Sequence, residues 1–155
     1  MKYSKASFNY IFFLIIVVLF TASWGYMKYK EYFLSTVELK INNVQITAEV
    51  AETPRAWVKG LSGRKKLAEN RGMLFVFPNE SRHAFWMKDM NFPVDIIWIN
   101  NGEIVDIAPN VEPSLLDPLP TYLPRLPTKL VLEVVAGFSA KNNLKIGDKV
   151  ELLTK

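Results

Sequence analysis

No cysteine occurs in the 155 residues, and there is a single histidine. Without cysteine the chain has no disulfide, no thiolate nucleophile, no CxxC redox pair, no cysteine zinc site and no lipid attachment through sulfur. One histidine, His83, excludes zinc sites built from two or three histidines of one chain. A glycine-rich phosphate loop is also missing, and no serine is embedded in a nucleophile motif. Nor does any acid precede Glu31. Lys2, Lys5, Lys28 and Lys30 supply the net charge of +4, leaving 15 Lys/Arg against 15 Asp/Glu from Glu31 onward. The basic character therefore belongs to the N-terminus and gives no support for nucleic-acid binding.

What those lysines flank is a hydrophobic run. From Ala6 to Met27 there are 22 residues without charge, which as a helix reach roughly 33 Å, about the thickness of a bilayer core. Trp24, Tyr26 and Tyr29 follow as the aromatic belt expected where a retained helix leaves the membrane. A cleaved signal peptide is the alternative, because Thr21, Ala22 and Ser23 are small. Residues 1–30 are thus expected to anchor the chain by a single pass in the cytoplasmic membrane. Residues 31–155 form a domain facing the periplasm or exterior, secreted if cleavage occurs.

Residues 28–35 read as a short stalk. After it, Val37, Leu39 and Ile41 alternate with polar residues, as do Val44, Ile46, Ala48 and Val50, and Asn42-Asn43 between them suits a tight hairpin. Thr53-Pro54 reads as a helix N-cap and first helical position, with Ala56, Trp57 and Leu61 directed inward. A strand is expected over Met73–Phe77, a turn over Pro78–Ser81, and a strand over Arg82–Met87. Val94–Ile99 scarcely alternates and predicts a strand buried on both faces. Asn100-Asn101-Gly102 is a second hairpin signal, leading to a strand over Glu103–Ile107. Six prolines between Pro109 and Pro127 exclude regular helix or central strand. This segment is expected to be ordered, with Pro118-Leu119-Pro120 and Tyr122 packed on the domain. A strand over Lys129–Val135, a short helix over Gly137–Asn143 and a last strand over Lys149–Leu153 complete a mainly β, β-rich α+β domain. The fold expected is a compact antiparallel barrel-like sheet with one or two short helices, preceded by one transmembrane helix.

Two acids are physically anomalous. Asp95 and Glu133 each sit in a run of Val, Ile and Leu, where a charge costs several kcal/mol unless it is paired or hydrogen-bonded, on the order of the penalties for buried ions. Trp57, Phe85, Trp86, Trp98 and Tyr122 could form an aromatic platform, although such residues more often fill cores. Trp86 is the one expected to reach a pocket. His83, Met87 and Met90 carry soft copper ligands, but His83 and Met87 stand roughly 13 Å apart along an extended strand and do not converge.

The ordered series GL–R–L (Gly60, Leu61, Arg64, Leu67), RGMLFVF (71–77), FWMK (85–88), FPVDIIWI (92–99), EIVDIAPNVEP (103–113), PTYLP (120–124), LVLEVVAG (130–137) and IGDKVEL (146–152) resembles the family catalogued as domain of unknown function 192, over about residues 37–153. The resemblance implies a small β-rich, barrel-like domain, common behind signal peptides or membrane anchors, with no established enzymatic activity. Some relatives carry a cysteine pair in the proline-rich loop where this chain has Ser114 and Leu119, and two further places depart from the family pattern. Ser62-Gly63 stand where relatives have Met and an aromatic residue, and Asp89-Met90 where they have Asn-Thr. Arg64 and Lys88 match family positions and are the basic residues expected to pair with Asp95.

These residues point to an accessory domain of the cell envelope that binds a small polar, glycan or peptide ligand without cofactor or metal, through Arg64, Trp86, Lys88, Asp95 and Glu133. The alternative is a hydrolase of envelope glycans or peptides using Asp95 and Glu133, which requires both carboxylates in one cleft, about 5–10 Å apart. A scaffold contacting membrane partners would instead present a broad exposed apolar patch.

Overall fold

The computed structural model describes residues 5–32 and 34–153. The chain divides after Leu34 into two compact units. The first is helix α1, Lys5–Tyr32, roughly 42 Å long at the usual rise per residue. The residues expected as a stalk up to Tyr32 continue this helix. Its window Asn9–Tyr26 has a mean hydropathy of 1.7 and none of it is buried within the fold. By length and composition it can cross a membrane or serve as a signal sequence.

The second unit is a curled sheet. Strands β1 (Thr36–Ile41), β2 (Val44–Ala51), β3 (Arg71–Ser81), β5 (Val94–Asn100), β6 (Glu103–Val111), β8 (Thr128–Val135) and β9 (Val150–Leu153) pair in the order β6-β5-β8-β3-β2-β1-β9. Every pairing is antiparallel except β2 with β3. That parallel pair requires a crossover, which carries helix α2, Pro54–Lys59. The sheet curls until its ends approach. The 146–150 turn bonds to the β5–β6 hairpin through Ile104 N to Asp148 O at 2.9 Å and Val150 N to Gly102 O at 2.8 Å.

Local sequence explains most of these elements. Asn42 and Asn101 take φ of 54° and 50° in the two hairpins, a conformation that asparagine tolerates. Thr53 accepts the Ala56 N–H at 3.2 Å as the N-cap of α2. Leu61 is buried and the Trp57 indole N–H reaches Ala51 O at 2.9 Å. Pro109 does lie in a strand, but β6 ends the sheet order, where a missing donor costs no ladder bond.

Three expectations fail locally. The expected turn at Pro78–Ser81 is the outer end of β3, where the pairing with β8 slips between Val76 and Ser81. Such a slip accommodates Pro78 without leaving a ladder bond unmade. The expected strand over residues 82–87 shrinks to β4, Phe85–Trp86, which pairs with β7, Thr121–Tyr122, in a separate two-stranded sheet. Part of the proline-rich segment docks as expected: Leu119, Pro120 and Tyr122 are half-buried and Pro124 is buried, whereas Pro118 is exposed. Arg82 Nε donates to Pro124 O at 2.7 Å, and Asp106 takes the Arg125 amide at 2.8 Å and its side chain at 2.9 and 3.1 Å.

Both faces of the central strands are covered. Leu74, Ile97, Ile99, Leu132 and Val134 join Leu39, Ile41 and Ile46 in the core inside the curl, closed by Phe138 of the short helix α3 (Phe138–Lys141). Met73, Phe75, Ile96, Trp98 and Val131 lie on the opposite face and are buried as well. This double burial accounts for the unalternating run at Val94–Ile99. Gly72 is fixed by the closeness of β8, because a Cβ there would lie 2.8 Å from Glu133 O.

Candidate functional site

Register decides the fate of the two anomalous acids. Asp95 lies opposite Val134, whereas Glu133 lies opposite Ile96 and Met73. Directly paired residues share a face and neighbours along a strand do not. Asp95 therefore points to the inner face of the sheet and Glu133 to the outer face. The two carboxylates form no shared site, so the geometry offers nothing for a two-carboxylate hydrolase.

Asp95 is fully buried and its oxygens are taken by backbone. Oδ1 accepts the amides of Asn110 at 2.9 Å and Gly137 at 3.0 Å, and Oδ2 accepts that of Ser139 at 2.7 Å. Among the described residues neither expected basic partner bonds to it. Arg64 instead makes two bonds to Glu49, at 2.5 and 2.7 Å. This pairing, through the hydrogen bond first, holds the Glu49 carboxyl below its usual range and the Arg64 guanidinium above its own. Lys88 is exposed, and its carbonyl accepts from Ser62 Oγ at 2.7 Å. Asp95 is a structural clamp that ties β6, the β8–α3 turn and the first turn of α3 to one strand.

Glu133 has the opposite character. It is 5 % exposed and makes no hydrogen bond or ion pair among the described residues. Burial alone pushes its carboxyl up to about 8, so at neutral pH it is mostly a neutral acid. It lines a cleft of about 150 Å³ on the outer face, between the α2 crossover and the segment 83–90. Its walls are mainly aromatic. Phe77 stacks on the His83 ring at 3.6 Å and lies 5.0 Å from Trp57, and Phe85 stands edge-on to Phe75 at 5.0 Å. Trp86 completes the rim and is 42 % exposed, the only one of these rings largely open to solvent. Of the five residues expected at a pocket, Trp86 and Glu133 line this cleft, and Arg64, Lys88 and Asp95 do not. Met87 is buried, while His83 and Met90 line the cleft.

Sequence reasoning missed Phe75, Phe77 and His83 as cleft residues. The signal available was the odd-numbered row Met73, Phe75, Phe77, which shares a face with Glu133 once the register is known. The departures from the family pattern at Ser62-Gly63 and Asp89-Met90 also meet here. Gly63 N donates to Asp89 O at 2.8 Å alongside the Ser62–Lys88 bond, and Ser62 and Met90 both line the cleft.

A half-barrel sheet with a carboxyl-floored aromatic cleft on its outer face defines a small β-rich domain. The chain belongs to the DUF192 family, described as Uncharacterized ACR, whose model matches residues 37–152. It is 29 % identical over 85 residues to UPF0127 protein PF1050 of Pyrococcus furiosus, a match covering 51 % of this chain and 66 % of that protein, just under two thirds. Two solved structures share the fold. A protein of Sinorhizobium meliloti 1021 described as a candidate transcription regulator superposes with TM-score 0.70 at 27 % identity, covering 77 % of this chain and 95 % of its own. A protein of unknown function from Novosphingobium aromaticivorans gives TM-score 0.69 at 30 % identity, covering 76 % and 86 %.

Proposed function

We propose that this protein is a ligand-binding accessory domain of the cell envelope, held at the membrane by α1, with the Glu133 cleft as its binding site. One observation carries the reading: a buried carboxyl that has no partner among the described residues opens into an aromatic cleft. Buried polar groups are ordinarily satisfied, and those that are not commonly mark a role other than packing. The aromatic walls supply apolar contact area, and Glu133 with Lys59, Ser62 and His83 supplies a few polar groups, which is the usual composition of a small-molecule site. Trp86 serves as the solvent-facing edge on which a sugar or peptide group can lie.

Chemical-shift mapping with a fragment set containing monosaccharides, dipeptides and small amines tests the site. Perturbations centred on Trp57, Phe77, Trp86 and Glu133 are expected, and shifts confined to other surfaces, or none, reject the cleft. The anchor is tested separately. Carbonate-resistant membrane association of a chain that retains Met1–Tyr26 supports it, and a mature N-terminus between Ser23 and Tyr26 rejects it.

A further inference from the structure

We propose that the cleft recognises an organic ammonium group, held between the Glu133 carboxylate and the rings of Trp57 and Trp86. This rests on the cleft being a binding site and names the ligand class. The components are those that attract a cation out of water. Aromatic rings present a negative π face, and a desolvated carboxylate is a strong partner for a cation wherever water is excluded. A neutral polar ligand can hydrogen-bond the protonated carboxyl, but only a cation draws on both the ring faces and the ionised carboxylate. An ammonium group uses both, and it gives a partner to Glu133, which makes no hydrogen bond or ion pair among the described residues.

The surrounding charges are few. β3 and β5 present Met73 and Ile96 directly beside Glu133. Glu49, across from Met73, is already neutralised by Arg64. Lys59 from α2 and His83 from the segment before β4 are the other ionisable side chains lining the cleft. Burial keeps Glu133 protonated up to about 8, so an ammonium ion must displace that proton to pair with the carboxylate. Binding is then a cation-for-proton exchange: the proton leaves to solvent as the ligand enters. Affinity rises with pH until Glu133 is ionised in the free protein, by roughly fifty-fold between pH 6 and pH 8, and flattens above about pH 9.

The experiment is calorimetric titration of the full chain, in a maltoside detergent free of choline, with choline and with its uncharged carbon isostere 3,3-dimethyl-1-butanol. Choline is expected to bind at least about tenfold more tightly, with release of about one proton at pH 7 read from buffers of different ionisation enthalpy. Glu133→Gln is expected to abolish both the proton release and the preference for choline. His83→Asn keeps the pH slope if Glu133 is its origin, and Lys59→Met strengthens binding without changing it. A short-chain phosphatidylcholine below its micelle concentration separates the sources: binding tighter than choline assigns the ammonium to a lipid headgroup, and equal or weaker binding to a free amine. Equal affinity for choline and the isostere, or choline binding without proton release, overturns the ammonium assignment. If fragments still map to the cleft, the binding site itself stands, and if neither probe nor fragment binds there, both readings fall. Proton counting on the wild type needs no variant, so an unstable Glu133→Gln leaves the test intact.

Discussion

Glu133→Gln should change the pH dependence of stability in a way that follows from one buried group. In the unfolded chain this carboxyl titrates near 4.5, and in the folded domain near 8. Between those values the unfolded state gives up a proton that the folded state keeps. A raised acid pKa thus contributes stability that is fully present below 4.5 and is lost as pH climbs to about 8, each pH unit costing about 1.4 kcal/mol. The whole window amounts to about 5 kcal/mol, and about 3 kcal/mol of it is gone by pH 7. Glutamine keeps the shape and cannot ionise, so its cost relative to the neutral acid is independent of pH. Glu49, Asp106 and Asp148, with pKa values held low in the fold, act in the opposite sense below about pH 5 and cancel in the comparison. For Asp106, burial pulls upward, but its bonds to Arg125 and the Ile107 amide outweigh that pull. Urea unfolding of the Ser35–Lys155 unit from pH 4.5 to 8.5 is the assay. The variant should gain on the wild type steadily up to about pH 8. Parallel curves would show that Glu133 is not buried as an unpaired acid, and would remove the basis of the cleft chemistry.

Asp95→Ala leaves three backbone amides without their acceptor, that of Ser139 buried and those of Asn110 and Gly137 only partly so, and should cost several kcal/mol, at up to about 1–3 kcal/mol each. Asp95→Asn keeps an acceptor for Asn110 and Gly137 but not for Ser139, and should cost roughly half as much. Double-mutant cycles with Arg64→Ala and Lys88→Ala should give coupling under about 0.5 kcal/mol, and larger coupling would restore an ion pair. Gly72→Ala drives a Cβ to within 2.8 Å of the Glu133 carbonyl and should destabilise by about 1–3 kcal/mol through overpacking, measured by the same unfolding curves. Asp106→Ala removes the acceptor for the Arg125 backbone and side chain, so tryptic cleavage after Arg125 should move from late to early in limited proteolysis. Unchanged cleavage order would mean that other contacts hold the segment.

Much of the molecule is determined by the sequence itself, because the responsible interactions are local. The apolar stretch of α1, the asparagine hairpins, the Thr53-Pro54 helix start and the doubly buried run at 94–99 depend on composition, turn chemistry and periodicity within a few residues. The same local logic marked Asp95 and Glu133 as charges out of place. Which of them is clamped and which is free depends on strand register, and a one-residue offset between β5 and β8 sends the two carboxylates to opposite faces. Arg64 likewise found its acid in Glu49 because the crossover runs over the outer face beside β2, a path no local pattern encodes. The cleft exists only where α2, the 83–90 segment and the β3–β8 pair converge, and convergence of distant segments is a property of the packed fold, not of any stretch of chain.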